Sequence, residues 1–154
     1  MLLSQNDADE LLSMIKKIRE TSPINFPKLG KSVQMEATSA NETVKFVFDV
    51  NRKGTLKVTK VTYQTRYQKS VILLRLDIDG PEHLNPDGTI IPCPHIHVYR
   101  EGFDDSWAFP LDKEIKTDAS DLLQVLSDFL DYNKVVDRPP ILYTGGGLFD
   151  DHEG

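Results

Sequence analysis

Two short runs alternate apolar and polar residues with period two, so any fold of this chain must place them as half-buried strands. In the first, Ile72, Leu74, Leu76 and Ile78 take one face and leave Arg75, Asp77 and Asp79 on the other. In the second, Ile96 and Val98 form the apolar pair, while His95, His97, Tyr99 and Glu101 share the opposite face. Antiparallel pairing of these runs over one core turns Asp77 and Asp79 toward His95 and His97. His83 and Cys93, the only cysteine, lie in the segment between them. No other part of the chain gathers so many groups able to do chemistry.

The remaining sequence builds a frame around that hairpin. Asp7 is a candidate helix cap with Glu10 three residues on. Ala8, Leu11, Leu12, Ile15 and Ile18 then recur at helical intervals until Thr21-Ser22-Pro23 stops them. Strands are expected at Val33–Thr38, at Val44–Val50 and at Thr55–Thr65, the last with a bulge near Thr59-Lys60 where the apolar phase switches. Asn85-Pro86-Asp87-Gly88 reads as a type I turn. Trp107-Ala108-Phe109 is a short last strand, with Trp107 expected inside the core. Thr117 is the expected cap of a second helix whose stripe is Leu122, Val125, Leu126, Phe129 and Leu130. A helix, a run of strands on short turns and a second helix define an α+β fold. The expected form is an antiparallel β-meander of five to six strands, with an N-terminal and a C-terminal helix packed on one face. The other face, bearing the histidines, is expected to be solvated. Residues 1–144 are expected to form a single domain, followed by a flexible acidic tail at 145–154.

Charge and cysteine content narrow the class of protein. Residues 1–102 carry 14 Lys/Arg against 12 Asp/Glu, and residues 103–154 carry 4 against 12. This asymmetry suggests an acidic C-terminal third that meets a partner or covers a surface. One cysteine excludes an internal disulfide framework. There is no basic, apolar start of a signal peptide and no run of about 20 apolar residues. A cytoplasmic protein without membrane contact is the expectation.

A His-x-His pair on a strand projects two imidazoles from one face, roughly 6.5–7 Å apart along the chain. A carboxylate across the ladder completes a two-histidine, one-carboxylate set for zinc, iron or manganese. The candidate metal ligands are His95, His97, Asp79 and His83, with Asp77 across the ladder, Glu101 on the same strand and Cys93 as a fourth ligand for zinc. The same two histidines, without metal, are a general base and general acid for cleaving RNA or another phosphoester. The basic, aromatic-laced stretch Arg52, Lys53, Lys57, Lys60, Tyr63, Arg66, Tyr67 and Lys69 is the candidate surface for a phosphate backbone. Against both stands a structural role, in which His95 or His97 bonds Asp77 or Asp79 and locks the hairpin with Tyr99 beside them. No P-loop, dinucleotide fingerprint or serine nucleophile motif is present.

Gly88 through Glu101 resembles the first cupin motif in its His95, His97 and Glu101. Its glycine spacing is one residue longer, the later glycine is missing and no second His-bearing strand follows, so no cupin activity carries over. Pro94-His95-Ile96-His97-Val98-Tyr99-Arg100-Glu101-Gly102-Phe103, with the preceding Asp79-Gly80-Pro81 and Asn85-Pro86-Asp87-Gly88, resembles a family of small uncharacterised bacterial and phage proteins. The likeness runs from the first helix to Tyr143. It implies a bacterial or mobile-element cytoplasmic protein and transfers no catalytic residue. The leading expectation is therefore a small binding or regulatory module of prophage or mobile-element origin and unknown ligand, meeting a protein partner through its sheet face and acidic C-terminal third. The alternative is a nuclease or phosphoesterase using His95 and His97, with nucleic acid as the partner. Asp77, Tyr99, Glu101, Lys57, Lys60, Tyr63 and Arg66 are the candidate binding residues.

Overall fold

The computed structural model describes residues 3–143. Ser4 opens the first helix, α1 (Gln5–Ser13), its side chain accepting the Asp7 N–H. The helix stops well before the proline expected to end it, because the next residues find better partners. Lys16–Ile18 is a strand, β1. A nine-residue helix is marginal by itself, and the ladders that flank β1 outweigh further helical turns. One short strand and a hairpin core follow: β2 (Ile24–Asn25), β3 (Ser32–Ser39), β4 (Lys45–Asn51), β5 (Val61–Tyr67) and β6 (Val71–Ile78). A small ladder, β7 (His83–Leu84) with β8 (Ile90–Ile91), decorates the loop before β9 (His95–Val98). Beyond β10 (Ala108–Pro110) come a 3-10 turn, helix α2 (Leu122–Tyr132), β11 (Val135–Asp137) and β12 (Ile141–Leu142).

The fold is α+β, but the sheet is larger than the expected meander and is mixed. Its eight strands run in the order β10-β9-β6-β5-β4-β3-β1-β11. The six from β3 to β10 are antiparallel to their neighbours. Beyond them β1 pairs antiparallel with β3, and β11 joins β1 in parallel. β12 and β2 make a separate parallel pair. These extra strands are two or three residues long, too short to show an alternation in sequence.

One hydrophobic cluster joins both helices to the sheet. It takes Ala8 and Leu11 from α1, the stripe Val125, Leu126, Phe129 and Leu130 from α2, and Met35, Phe48, Tyr63, Leu76 and Ile96 from the strands. Asp121, not Thr117, caps α2, accepting the Gln124 N–H. The expected strand from Thr55 begins only at Val61. Arg52 is buried and its guanidinium donates to the carbonyls of Pro27 and Val58, which holds residues 52–60 as a loop with Leu56 and Val58 exposed. The bulge falls on β6 instead. Thr65 pairs with Leu74 and Arg66 with Ile72, leaving Leu73 without a partner and burying both leucines. Trp107 is half-buried, edge-on to Phe103 beneath Arg100, and outside the main cluster.

Lys16 is fully buried where the two helices end. Its ammonium donates to Leu12 O, Met14 O and Asn133 O at 3.1, 3.0 and 2.8 Å, capping carbonyls of both helix C-termini. Burial lowers its pKa to about 8. Among the described residues no helix is long and apolar enough to cross a membrane. The acidic tail expected at 145–154 lies outside the described residues.

Candidate metal centre

The register of β6 on β9 sets Asp77 opposite His95 and Arg75 opposite His97. All four side chains leave the sheet on the face away from the helices. That face is not open here. The loop from Asp79 to Pro94 folds over it and is pinned by Asn85, which donates to the Ala108 carbonyl and accepts the Ala108 N–H. Gly88 closes the expected turn at φ +89°, a conformation that favours glycine. Under this cover His95 and His97 are 2% and 1% exposed.

Each imidazole is oriented by a backbone carbonyl. Nδ1 of His95 lies 3.2 Å from Ile91 O, and Nδ1 of His97 lies 2.8 Å from Asp105 O. A carbonyl oxygen only accepts, so each Nδ1 carries a proton, and a ring in its neutral form presents a lone pair at Nε2. Both Nε2 atoms meet one atom: Asp77 Oδ2, 3.1 Å from His95 Nε2 and 3.2 Å from His97 Nε2. With both rings neutral, three acceptors so close need positive charge among them. Ligands bound roughly 2.0–2.2 Å from one zinc-like ion stand about 3–3.5 Å from each other, the separation found here between each nitrogen and the carboxylate oxygen. The other carboxylate oxygen accepts from the Thr62 hydroxyl at 2.9 Å, which fixes the plane of the group.

Positive charge comes from one side. Arg75 Nη2 donates to His97 Nε2 at 3.1 Å, Nε approaches Asp77 Oδ2 at 3.4 Å, and Nη1 reaches Asp105 at 3.3 Å. Burial pushes the Asp77 carboxyl up, but its contacts with the two imidazoles, the Arg75 charge and the Thr62 hydrogen bond together hold it well below the usual carboxylate range. His83 stands against the pair, its ring centre 4.5 Å from that of His97, with Nε2 donating to Ser106 O at 2.6 Å. A cleft of about 270 Å³ opens onto the cluster between Lys60, Thr62, Arg75, Glu82 and His83. A larger cleft, about 640 Å³, lies elsewhere, over β3 and β4 near Arg19, Lys45 and Lys69.

The other candidates are placed differently. The chain turns at Asp79, in the left-handed region at φ +57°, and its carboxylate leaves the cluster to pair with Thr59 and Lys57. Glu101 exchanges hydrogen bonds with Gln5 at the start of α1. Tyr99 follows Leu73 across the ladder into the core, where its hydroxyl donates to Leu3 O at 2.7 Å and accepts the Leu3 N–H at 3.1 Å. The Cys93 thiol donates to Pro81 O and sits almost equally far from Nδ1 and Nε2 of His95, at 3.6 and 3.8 Å. Burial, more than any neighbour, raises its pKa and keeps it a thiol. In the basic stretch, Tyr63 is buried with its hydroxyl on Leu122 O, Arg66 is bound to Asp49 and Arg52 is buried; Lys60 alone borders the cleft. Asp77, His95 and His97 are therefore the triad that the fold brings together.

Sequence reasoning set Asp77 beside Asp79 without preferring it, and passed over Arg75 and Thr62. Arg75 was visible two residues before Asp77 on the same face. Thr62 pairs with Asp77 across the β5–β6 ladder, a contact hidden by the misplaced start of β5. A family model described as a family of unknown function (DUF6978) matches residues 3–135, which include every residue of the cluster. The chain belongs to that family. No curated protein and no solved structure matches it.

Proposed function

We propose that the protein is a divalent-metal hydrolase whose ion is held by Asp77, His95 and His97. The observation that supports this most is the direction of the two imidazoles. Both Nδ1 atoms are directed at backbone carbonyls, and both Nε2 atoms converge on one carboxylate oxygen. A hydrogen-bonded structural lock would instead direct ring N–H groups at the carboxylate, as Arg66 does for Asp49. Two nitrogens and one oxygen suit Zn²⁺, Fe²⁺ or Mn²⁺. Such an ion supplies Lewis acidity and a water of lowered pKa. Thr62 orients the carboxylate, the Asp105 and Ile91 carbonyls orient the rings, and His83 stands at the cleft where it can take or give a proton. Lys60 and Arg75 beside the cleft favour an anionic ester as substrate.

The binding module expected from the sequence would use the same face, but the covering loop leaves the histidines little surface to offer a protein. The basic stretch offers little to a nucleic-acid backbone, since its Tyr63, Arg52 and Arg66 are engaged within the fold. A cytoplasmic setting fits a lone reduced thiol at Cys93.

Elemental analysis of untagged protein, with thermal unfolding in added zinc or manganese, tests the proposal. Wild type should carry or take up one ion per chain and melt higher with it; the His95→Gln, His97→Gln double variant should do neither. Absence of metal uptake by wild type would sink the proposal.

A further inference from the structure

Arg75 occupies a position that a bound ion would change. The His97 Nε2 lone pair now accepts from Arg75 Nη2, and one lone pair serves either that N–H or a metal, not both. The guanidinium keeps a second anchor on Asp105 through Nη1, so release from His97 does not set it adrift. Its side chain is one-third exposed and faces the cleft that Lys60 also borders. Lys60 makes no side-chain hydrogen bond among the described residues. A freed guanidinium is a planar fork matched to the oxygens of a tetrahedral anion, and an ammonium across a cleft completes the charge. The cleft, at about 270 Å³, lies at the lower end of small-molecule sites. That size suits a phosphate group on a small body better than a polymer strand.

We infer that metal loading displaces Arg75 from His97 and that Arg75 and Lys60 then form an oxyanion subsite beside the ion, for the phosphate group of a small monoester. The inference rests on the metal centre proposed above and adds the substrate class to it. It makes two distinct demands on Arg75. Before loading, the guanidinium competes with the ion for His97. After loading, it holds the anion.

Cobalt(II) serves as the probe metal, because its visible absorption reports both loading and changes at the open coordination positions. Arg75→Ala and Arg75→Gln should bind cobalt at least as tightly as wild type, by a few-fold, since a competitor has gone. Inorganic phosphate added to cobalt-loaded wild type should shift the spectrum, and its Kd should rise roughly tenfold or more in either Arg75 variant and in Lys60→Ala, the loss expected for a charge-assisted hydrogen bond. Lys57→Ala removes the same charge outside the cleft, where Lys57 pairs with Asp79, and should leave the phosphate Kd unchanged. Lys60→Ala sits in a loop-side position, so it reports even if an Arg75 variant fails to fold. Equal phosphate affinity in wild type and Lys60→Ala, or equal loss in Lys57→Ala, would overturn the subsite while leaving the metal centre standing. Weaker cobalt binding in folded Arg75 variants would overturn the displacement. No cobalt binding by wild type would remove the metal centre itself, and the subsite with it.

Discussion

Two carboxylates on the polar face of the sheet sit at nearly equal depth and keep very different company. Asp49 of β4, 13% exposed, accepts from Arg66 Nε and Nη2 at 2.7 and 2.9 Å and from Gln64 at 3.1 Å. Every partner is a group with protons to give, and the site is complete. Asp77 of β6, 18% exposed, has one oxygen satisfied by Thr62 and the other facing two ring nitrogens whose protons lie elsewhere. Depth and sign of charge are the same in both. What differs is where the neighbours' protons go. An arginine is a donor wherever it stands, whereas a histidine becomes donor or acceptor according to what its far nitrogen touches.

The comparison breaks most visibly through Arg66. Replacing it with alanine leaves Asp49 partly buried without its cation, and should cost roughly 3 kcal/mol, the low end for losing one partner of a buried pair. Urea unfolding with and without zinc measures this, and the cost should be the same in both. A metal-dependent cost would mean that the two carboxylates are not independent.

Asp77→Asn should behave in the opposite way. Its metal-free stability should change little, because an amide still accepts from Thr62 and can donate to an imidazole nitrogen. The stabilisation that wild type gains from zinc, about 2.7 kcal/mol at a hundredfold excess over Kd, should vanish. A melting curve that still rises with zinc in this variant would rule out Asp77 as a ligand.

Acid sharpens the contrast further. The folded pKa of Asp77 is depressed, so the stability it contributes is complete above its unfolded value near 4 and is lost as pH falls through the folded one. By pH 3 wild type should have lost about 1 kcal/mol of stability through this group, a loss that Asp77→Asn should not share. Chemical denaturation of both proteins at pH 3 and pH 6 checks the sign. The smallest effect is expected at Cys93. Since its thiol donates to Pro81 O and lies outside the Asp77, His95 and His97 group, Cys93→Ser should shift zinc affinity by no more than about twofold; a tenfold loss, or about 1.4 kcal/mol, would make it a ligand after all.

The parts of this molecule that announced themselves did so through repetition. Strands β4, β6 and β9 and helix α2 carry apolar residues at regular intervals, and the placing of Asp77 on the same face as His95 and His97 follows from period two alone. The polar-face candidates failed where the period failed. Tyr99 shares its parity with His97 on paper, yet the bulge at Leu73 carries it to the other side of the sheet. Asp79 continues the alternation of Asp77, yet the strand has ended and the backbone has turned. Lys16 falls inside the expected first helix, yet it is a buried cap for two helices. The carbonyls of Ile91 and Asp105, which decide the state of both imidazoles, are backbone atoms in loops and leave no trace in residue identity.

The parallel pairing of β1 with β11 also bears on how the chain reaches this state. Lys16 meets Val135 across roughly 120 residues, while β3 through β6 close over short turns. Closing the longer span costs about 2 kcal/mol more in chain entropy than closing a ten-residue loop. The hairpins therefore form first, and the edge where Lys16 is buried is sealed last. Until that closure the Lys16 ammonium sits in water; the final step of folding is the one that dehydrates it. Pulsed hydrogen exchange should show the amides of β4 and β5 protected before those of β1, and simultaneous protection would mean that the edge is part of the nucleus.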